Sequence, residues 1–459
     1  MADGHGSDAA MKVLLISANR LLEPYPVYPM GLDYVAGALA GDHEVRAIDL
    51  NELADDKDLI TRLASFAPEV VGISLRNIDN TDTTDPRGFM GEYVDLVHIV
   101  RQHTDATVVL GGSGFTIFPE QILDFLKADY GIAGEGERMA PLLEALENGK
   151  NPAILPGVLT PRQSMSAASP WEHPFTRETV TKRPYLDYYL RHGGMLNLQT
   201  KRGCPFRCAY CTYPAIEGRR MRLIPPADIA RTAVSLEAAG ARYLFVTDSS
   251  FNADTDHSLA VARAFRQAGL AIPWGAFFTP LRPPDGYYAE LAAAGLTHVE
   301  FGTDALSNPV LATYGKPFKV HQAMVAHRQA LSAGLHVAHY FLLGGPGETP
   351  DTLEETLTHI ESLEKTVVFL FCGMRIYPGT PLFTQAVAEG VIEASSDLLD
   401  PVFYASASIS RQYILDQVAS RAAGRANWII GSGGVETSRV ISRMYQKGYS
   451  GPLWEYLIR

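Results

Sequence analysis

Short apolar runs alternate with helical patterns through the first third of the chain. Five such runs are rich in β-branched and aliphatic residues, and they read KVLLIS (12–17), VRAIDL (45–50), VVGISL (70–75), TVVLGG (107–112) and YGIAG (130–134). Apolar strands that alternate with helices are typical of a parallel sheet covered on both faces. We therefore predict a doubly wound α/β domain over residues 11–150, which would bind ligands beyond the carboxyl ends of its strands.

A second alternation follows a segment that breaks this rhythm. Residues 151–190 include the Pro- and Ser-rich stretch TPRQSMSAASPWEHP and are predicted to be a linker. Beyond it, amphipathic helices separate six strand patterns: MLNLQT (195–200), YLFVTD (243–248), IPWGAFF (272–278), HVEFGT (298–303), VAHYFLL (337–343) and VVFLFCGMRI (367–376). Six β/α units in succession predict a partial (β/α)6 TIM barrel over residues 191–385, with its active face at the strand carboxyl ends.

The two ends of the chain follow neither alternation. Residues 386–459 have mixed patterns, which predict a small C-terminal cap. Residues 1–10 are small and polar, which predicts a disordered N-terminus.

Composition narrows the class of protein. Of 459 residues, 46% are hydrophobic and 20% are charged, without an apolar run long enough to span a bilayer or a leader pattern. The formal net charge of -12 disfavours a nucleic-acid partner, because phosphate contacts require a basic surface. We expect a cytoplasmic protein with no membrane span and no nucleic-acid partner.

Three of the four cysteines lie in GCPFRCAYCTY (203–213), directly after the first barrel strand. Thiolates from one tight loop, here Cys204, Cys208 and Cys211, can hold three corners of a cubic 4Fe-4S cluster and leave the fourth iron open to a ligand. A structural zinc site is the alternative, with a distant fourth ligand such as Cys372, although no second C-x-x-C pair is present. The spacing favours the cluster.

The pattern C-x-x-x-C-x-aromatic-C, formed by Cys204, Cys208, Tyr210 and Cys211, resembles the signature of radical S-adenosylmethionine (SAM) enzymes. The resemblance implies a 4Fe-4S cluster whose open iron chelates SAM, and cleavage of SAM to a 5'-deoxyadenosyl radical. It also implies an external electron donor such as flavodoxin or ferredoxin.

Four further stretches are similar to the same superfamily after the second, fourth, fifth and sixth barrel strands: VTDSSFN, VEFGTDALSNPVLATYGK, FLLGGPGET and RIYPGTPL. The commoner Gly-Gly-Glu form of the first stretch is absent. The SAM contacts that the resemblance implies are Asp248, Ser249, Ser250, Glu300, Asp304, Gly344, Gly345, Gly347, Ile376 and Tyr377. Structural roles are the alternative, as a strand-end turn for the first three and as helix caps for the two acidic residues on the fourth strand.

The amino-terminal domain resembles the cobalamin-binding module of cobalamin-dependent radical SAM enzymes. Ser74 and Leu75 are like the family's Ser-x-Leu after the third strand, and Gly111 and Gly112 follow the fourth. The contacts implied are Ser74, Leu75, Arg76, Asn77, Gly111, Gly112, Gly134, Glu135 and Gly136. The Asp-x-His-x-x-Gly loop that supplies a histidine to cobalt is missing. Arg76 or Asn77 would then face the cobalt, and a domain that no longer binds cobalamin stays open as an alternative.

The combined resemblance implies a radical C-methyltransferase, which activates an inert carbon with the 5'-deoxyadenosyl radical and uses methylcobalamin as methyl donor. A non-methylating cyclase or rearrangement enzyme with the same cofactors is the alternative. Radical methylthiotransferases are disfavoured, because they use three amino-terminal cysteines and none precedes Cys204 here.

Cys372 is a candidate catalytic residue, as a hydrogen-atom donor or a metal ligand, with a buried core thiol as the alternative. The wording of SLRNIDN and GGSGFTIFPE is similar to a subgroup associated with lipid or acyl-carrier biosynthesis. That similarity implies a small-molecule or carrier-tethered substrate.

Overall fold

The structure is a computed structural model that describes residues 10–22, 25–161, 170–178 and 183–458, and all their side chains except those of residues 434–436 and 438. The predicted disordered N-terminus lies outside the described residues apart from Ala10, as do two parts of the predicted linker. The chain divides into two compact units. The first contains the residues up to Arg20, Pro29–Ile78 and Gly88–Leu186, and the second contains Leu21–Tyr28, Asp79–Arg87 and the chain from Asp187 onward.

The first unit is a doubly wound α/β domain, as predicted. Its strands are β1 (Lys12–Ser17), β2 (Glu44–Asp49), β3 (Val70–Ser74), β4 (Thr107–Gly111), β5 (Tyr130–Ile132) and β6 (Val158–Leu159). Its helices are α1 (Met30–Leu39), α2 (Asp56–Phe66), α3 (Met90–His103), α4 (Ser113–Ile117), α5 (Pro119–Leu126) and α6 (Met139–Glu147). The sheet order is β2-β1-β3-β4-β5-β6, in which β6 alone is antiparallel to its neighbour.

The second unit contains the larger sheet. The strands from residue 195 onward are β7 (Met195–Leu198), β8 (Lys201–Arg202), β9 (Arg222–Leu223), β10 (Tyr243–Val246), β11 (Trp274–Phe278), β12 (Leu296–Asp304), β13 (His336–Leu343), β14 (Thr366–Cys372), β15 (Met374–Arg375), β16 (Phe403–Tyr404) and β17 (Trp428–Ile430). The helices from residue 186 onward are α7 (Leu186–Arg191), α8 (Tyr213–Ile216), α9 (Pro226–Ala238), α10 (Thr255–Ala268), α11 (Tyr287–Ala292), α12 (Asn308–Thr313), α13 (Val320–Ser332), α14 (Pro350–Glu361), α15 (Pro381–Ala388), α16 (Arg411–Ala422) and α17 (Gly434–Gln446).

Helix α9 shows how the local pattern builds a β/α unit. Ile229, Ala233 and Leu236 lie on one face and are buried, because residues three and four apart share a side of a helix. Shortly after the helix ends, Gly240 has φ +106°, a backbone conformation that glycine adopts without a steric penalty. The chain then enters β10.

Seven parallel strands form the barrel sheet, in the order β17-β14-β13-β12-β11-β10-β7. Six of them are the predicted strands in sequence order. The seventh, β17, comes from the region predicted as a cap and pairs with β14, with Val368 opposite Trp428. Three apolar residues in a region of mixed pattern are too few for a strand prediction from sequence.

The carboxyl terminus also enters the core of the second unit. Trp454 is 5% exposed and belongs to a buried cluster with Ala338, Val367, Phe369 and Ile429, which lie on three strands of the sheet. The end of the chain therefore contributes to the barrel core. Among the helices of the described residues, none has the length and apolar character needed to cross a membrane.

Candidate functional site

The three clustered cysteines lie in a loop that follows β7, at the carboxyl end of the barrel strands. The antiparallel pair β8 and β9 holds the base of this loop. The backbone N–H of Cys204 donates to the carbonyl oxygen of Gly218 at 3.1 Å, and that of Gly203 donates to Glu217 Oε2 at 3.0 Å. The loop is thus anchored at its first cysteine.

The three thiols lie close enough to influence one another electrostatically. Burial, together with the charges of the other two cysteines, raises the pKa of the Cys211 thiol to about 12. Burial also raises the pKa of Cys208, and the positive charge of Lys316 opposes this effect. A metal that replaces the thiol protons removes the cost of ionising buried thiols.

The three thiols are of the donor type that an iron–sulfur cluster requires. Within the described residues, no three side chains of His, Cys, Asp or Glu form a group that could hold one metal ion. A cubic iron–sulfur cluster places each thiolate on a different iron, so its ligands stand farther apart than those around one zinc ion. Three thiols on one loop can supply three corners of such a cluster.

Tyr210, which lies between the second and third cysteines, ties the loop to the end of β12. Its hydroxyl donates to Oδ2 of Asp304, and the same oxygen accepts from Lys316 Nζ at 2.6 Å. Burial disfavours the charged ammonium, yet the Asp304 carboxylate raises the pKa of Lys316. Asp304, predicted as a SAM contact, therefore bonds two residues at the cysteine loop. Lys316 was not predicted, although it closes the VEFGTDALSNPVLATYGK stretch.

The backbone around Gly315 packs directly against the same loop. Ala209 N–H donates to the carbonyl oxygen of Tyr314 at 2.9 Å, and Leu382 N–H donates to that of Ala209 at 2.9 Å. Gly315 has φ +66°, and a Cβ there would lie 2.5 Å from the carbonyl oxygen of Arg207. Only glycine permits this approach without a shift of the backbone.

Asp248 supports the entry to the loop. Its Oδ1 accepts from the backbone N–H of Thr200 at 2.8 Å, and its Oδ2 accepts from the Thr200 hydroxyl. Burial raises the pKa of Asp248, and the charge of Lys201 opposes this rise. Lys201 Nζ also donates to Ser249 Oγ at 3.4 Å. Ser250 instead bonds the Thr279 hydroxyl at 2.9 Å.

Glu300 bonds the carboxyl-terminal segment. Its Oε1 accepts from Trp454 Nε1 at 2.9 Å and its Oε2 from the Tyr340 hydroxyl at 2.8 Å. Glu300 is 1% exposed, and burial raises its pKa. Of the two acidic residues predicted on β12, one thus contacts the cysteine loop and the other contacts the chain terminus.

A glycine turn follows β13, and Glu348 organises it. The Glu348 side chain accepts from the N–H of Gly344, and the N–H of Gly345 donates to the Tyr314 hydroxyl at 3.1 Å. Gly344 and Gly347 have φ +87° and +79°. A Cβ on Gly345 would lie 2.3 Å from the Tyr314 hydroxyl oxygen, so the turn packs closely on that ring. Burial raises the pKa of Glu348 to about 7.

The residues predicted after β14 are largely buried. Ile376 is fully buried and its N–H donates to the carbonyl oxygen of Val402 at 2.9 Å. The Arg375 guanidinium lies 4.8 Å from the centre of the Tyr377 ring. Cys372 is 2% exposed, its carbonyl oxygen accepts from the Thr83 hydroxyl, and burial raises its pKa to about 12. These features are those of a core thiol.

In the first unit, the residues predicted for cobalamin converge at the carboxyl ends of three strands. Ser74 ends β3 opposite Gly111 at the end of β4, and Leu75 N–H donates to the Gly111 carbonyl oxygen at 2.8 Å. Gly112 has φ +97°, and a Cβ there would lie 2.7 Å from the Leu75 carbonyl oxygen. The strand order of this sheet changes direction between β1 and β3. Doubly wound sheets bind ligands at the carboxyl ends of the strands next to such a switch point.

The other predicted cobalamin residues flank this edge. Arg76 is exposed, and its carbonyl oxygen accepts from Ser113 Oγ at 2.9 Å. The Asn77 carbonyl oxygen accepts from the Tyr93 hydroxyl. After β5, Gly134 N–H donates to Thr116 Oγ1 at 2.9 Å. Glu135 and Gly136 follow it, and Glu135 Oε2 accepts from the backbone N–H of Trp171 at 2.5 Å. Because glycine turns and backbone carbonyls line the edge, a bulky ligand can approach the strand ends closely.

Comparison with known proteins identifies both parts of the chain. Residues 198–360 match the Radical SAM superfamily, and residues 23–144 match the B12 binding domain. The chain carries a radical SAM domain behind a B12 binding domain. These two matches confirm the predicted recognition and, through the two domain types, the predicted cofactors, which are a 4Fe-4S cluster, SAM and cobalamin. The roles of individual residues and the exact domain bounds stay predictions.

Two curated relatives and one solved structure are similar to most of this chain. Tryptophan 2-C-methyltransferase of Streptomyces laurentii is 28% identical over 446 residues, which cover 80% of this chain and 73% of the relative. Cytidylyl-2-hydroxyethylphosphonate methyltransferase of Streptomyces wedmorensis is 23% identical over 458 residues, which cover 84% of this chain and 84% of the relative. The structure of the radical SAM methyltransferase TsrM of Kitasatospora setae, solved with cobalamin and a 4Fe-4S cluster, superposes on this chain with a TM-score of 0.85 at 22% identity. The match covers 98% of this chain and 97% of the TsrM chain. That likeness confirms the predicted fold class.

Proposed function

We propose that the protein is a cobalamin-dependent radical SAM C-methyltransferase that acts on a small-molecule or carrier-tethered substrate. The observation that carries this proposal is the presence of both domains, in this order, in one chain. Two relatives that match over 80% or more of this chain are named methyltransferases. Methyl transfer to a carbon that lacks nucleophilic character requires both radical chemistry and a methyl carrier. One chain with both domains can supply both.

In this proposal Cys204, Cys208 and Cys211 hold the 4Fe-4S cluster. The turn formed by Gly344, Gly345 and Gly347, together with the backbone at Ile376 and Tyr377, borders SAM. The carboxyl edge of β3–β5 holds cobalamin. When bound, the cluster and SAM supply one-electron chemistry that generates a radical, and cobalamin supplies methyl transfer.

The protein's own residues orient these groups. Asp248 and Glu217 fix the two sides of the loop entrance through Thr200 and Gly203, so the thiols are presented from a rigid base. Glu348 and the Tyr314 hydroxyl fix the glycine turn through the backbone N–H groups of Gly344 and Gly345, respectively. The β1–α1 loop, SANRLLEPYPVYPM, contains no histidine, so cobalamin would bind without a histidine ligand from that loop.

Product analysis tests the proposal. Anaerobically reconstituted protein with cobalamin is incubated with SAM carrying a labelled methyl group and a reductant. A methyltransferase transfers the label to protein-bound cobalamin and releases an equivalent amount of S-adenosylhomocysteine. Deoxyadenosine without S-adenosylhomocysteine would support the cyclase or rearrangement alternative and overturn methyl transfer.

Variants with alanine at each loop cysteine test the cluster separately. Each should lose both iron and SAM cleavage, since three thiolates are the whole ligand set of the loop. A visible spectrum of the wild-type protein supplied with cobalamin tests the first unit. No spectral change after removal of free cobalamin would support the alternative that this domain does not bind it.

A further inference from the structure

A buried lysine lies beside the cysteine loop. The side chains of Lys316 and Asp304 are only 6% and 5% exposed, and Nζ lies 2.6 Å from Asp304 Oδ2. Lys316 Nζ is also 6.0 Å from the centre of the Tyr210 ring and 5.6 Å from that of Phe318. The charge is therefore enclosed by one carboxylate and two aromatic rings, and little solvent screens it.

The position of this charge is fixed by the backbone. Tyr314, two residues earlier, accepts a hydrogen bond from Ala209 inside the cysteine loop, and Gly315 packs against the Arg207 carbonyl oxygen. Asp304 itself has φ +64°, an uncommon conformation for a non-glycine residue, at a register shift between β12 and β13. The structure therefore holds an acidic and a basic side chain at fixed places next to the loop.

The ion pair lies against the middle of the cysteine loop. Tyr210, which stands between Cys208 and Cys211, bonds Asp304 Oδ2 through its hydroxyl, and Lys316 Nζ donates to the same oxygen at 2.6 Å. The ammonium also lies 6.0 Å from the centre of the Tyr210 ring. Both charges are therefore held beside the segment that carries the second and third cysteines.

We propose that the Lys316–Asp304 pair tunes the reduction potential of the cluster held by the loop, with Lys316 raising the potential and Asp304 lowering it. Both are positioning residues that act through the field at the thiolates and through Tyr210. Reduction adds one negative charge to the cluster, and a fixed nearby cation stabilises the reduced form more than the oxidised form. A fixed anion has the opposite effect.

The inference rests on the proposed function, in which Cys204, Cys208 and Cys211 hold the cluster. The test is a redox titration of the anaerobically reconstituted protein, followed by the electron paramagnetic resonance signal of the reduced cluster, with iron counted in every sample. Lys316→Met should shift the midpoint potential to more negative values, and Asp304→Asn should shift it to more positive values. Lys316→Arg should restore the wild-type potential.

Two controls separate charge from packing. Tyr210→Phe removes the hydroxyl that bonds Asp304 without a change of charge, so its shift should be smaller than those of both charge variants. Lys319→Met removes a positive charge from an exposed position in the same segment, where solvent screens it, and should leave the potential unchanged.

Each result decides one claim. Shifts of the same sign in Lys316→Met and Asp304→Asn, or a shift in Lys316→Arg as large as that in Lys316→Met, would overturn the tuning role. If the Lys316→Met variant loses its iron, the test rests on Asp304→Asn. An unchanged midpoint potential in that variant would overturn the inference. A wild-type protein that assembles no 4Fe-4S cluster would instead refute the proposed function.

Discussion

Arg375 donates from Nε to Oδ2 of Asp79 at 2.9 Å, across 296 positions of sequence, and the two side chains are 4% and 0% exposed. The same guanidinium donates to the carbonyl oxygens of Leu398 at 2.6 Å and Ile376 at 2.7 Å. Asp79 begins a nine-residue segment that belongs to the second unit, although the chain on both sides of it belongs to the first. The ion pair fixes that segment next to the end of the barrel strands.

Asp79→Ala should strongly destabilise the second unit, because it leaves a buried guanidinium without its carboxylate. The expected loss is about 3–5 kcal/mol in the free energy of unfolding, measured by denaturant titration. Asp85→Ala is the matched control in the same segment. Its ion pair with Arg87 is exposed, so its loss should stay below about 1 kcal/mol. Equal losses for the two variants would contradict the assigned role of Asp79.

SAM binding should depend on pH through Glu348. Burial raises the pKa of this carboxyl to about 7, so it is ionised above and protonated below that value. The ionised form accepts the hydrogen bond from the Gly344 N–H more strongly than the neutral form does. The neighbouring Tyr314 hydroxyl and Cys372 thiol stay neutral near pH 7, because burial raises their pKa. Affinity for SAM should therefore fall as pH drops from 8 to 6, as measured by equilibrium binding to cluster-loaded protein.

Glu348→Gln provides the control for that profile. The amide keeps the shape of the side chain and does not titrate, so its SAM affinity should be lower than wild type at pH 8 and nearly constant between pH 6 and 8. A profile in the variant that parallels the wild-type curve would assign the pH dependence to another group.

A buried histidine pair should make stability sensitive to acid. His327 Nδ1 lies 3.0 Å from His339 Nε2, and His339 Nδ1 lies 2.7 Å from Thr303 Oγ1. Burial lowers the pKa of His327 from 6.5 to about 4, and it lowers the pKa of His339 well below 6.5. Between pH 6.5 and 4 these histidines bind protons in the unfolded chain but stay neutral in the folded protein. The free energy of unfolding therefore falls as pH decreases through this window.

Urea titrations at pH 7.5 and 5 measure this loss, which we expect to be on the order of 2 kcal/mol for His327. His327→Gln retains hydrogen bonding without a titratable ring. Its stability should fall less between the two pH values than that of the wild type. An identical decrease in both proteins would show that the pair does not titrate as described.

Gly315→Ala should impair assembly of the cysteine loop. The added Cβ would lie 2.5 Å from the Arg207 carbonyl oxygen, at a backbone conformation that alanine disfavours. Iron content after anaerobic reconstitution should fall well below that of the wild type. Gly334→Ala is the matched control, since its φ of +78° is similar but its Cβ would meet no atom within 4 Å. Retained iron in Gly315→Ala would contradict the close approach.

Many of the chemical elements of the site could be found in the sequence because their signals are local. The cysteine loop lies within eight residues, so its spacing alone indicates three thiolates on one loop. Gly344 and Gly347 follow a strand directly, and their positive φ values agree with a tight turn. The same holds for the strands, whose apolar runs reflect burial on both faces of a parallel sheet.

Partners that lie far apart in sequence could not be found in the same way. Glu300 and Asp304 were both predicted to approach SAM, yet one bonds Trp454 near the end of the chain and the other bonds Lys316 and Tyr210. A single carboxylate on a strand carries no signal that distinguishes these partners. The partners of such a carboxylate depend on which loops meet above the strands.

Local patterns were enough to predict the two alternations of strands and helices, the cysteine loop after the first barrel strand and the glycine turn after the fifth, since each depends on residues close in sequence. Folding in three dimensions was needed to show that β17 and Trp454 complete the barrel core, that Asp79 pairs with Arg375 and that Lys316 lies beside the cysteine loop. These contacts join distant segments, and their stability comes from burial and charge pairing, which exist only after the chain has folded.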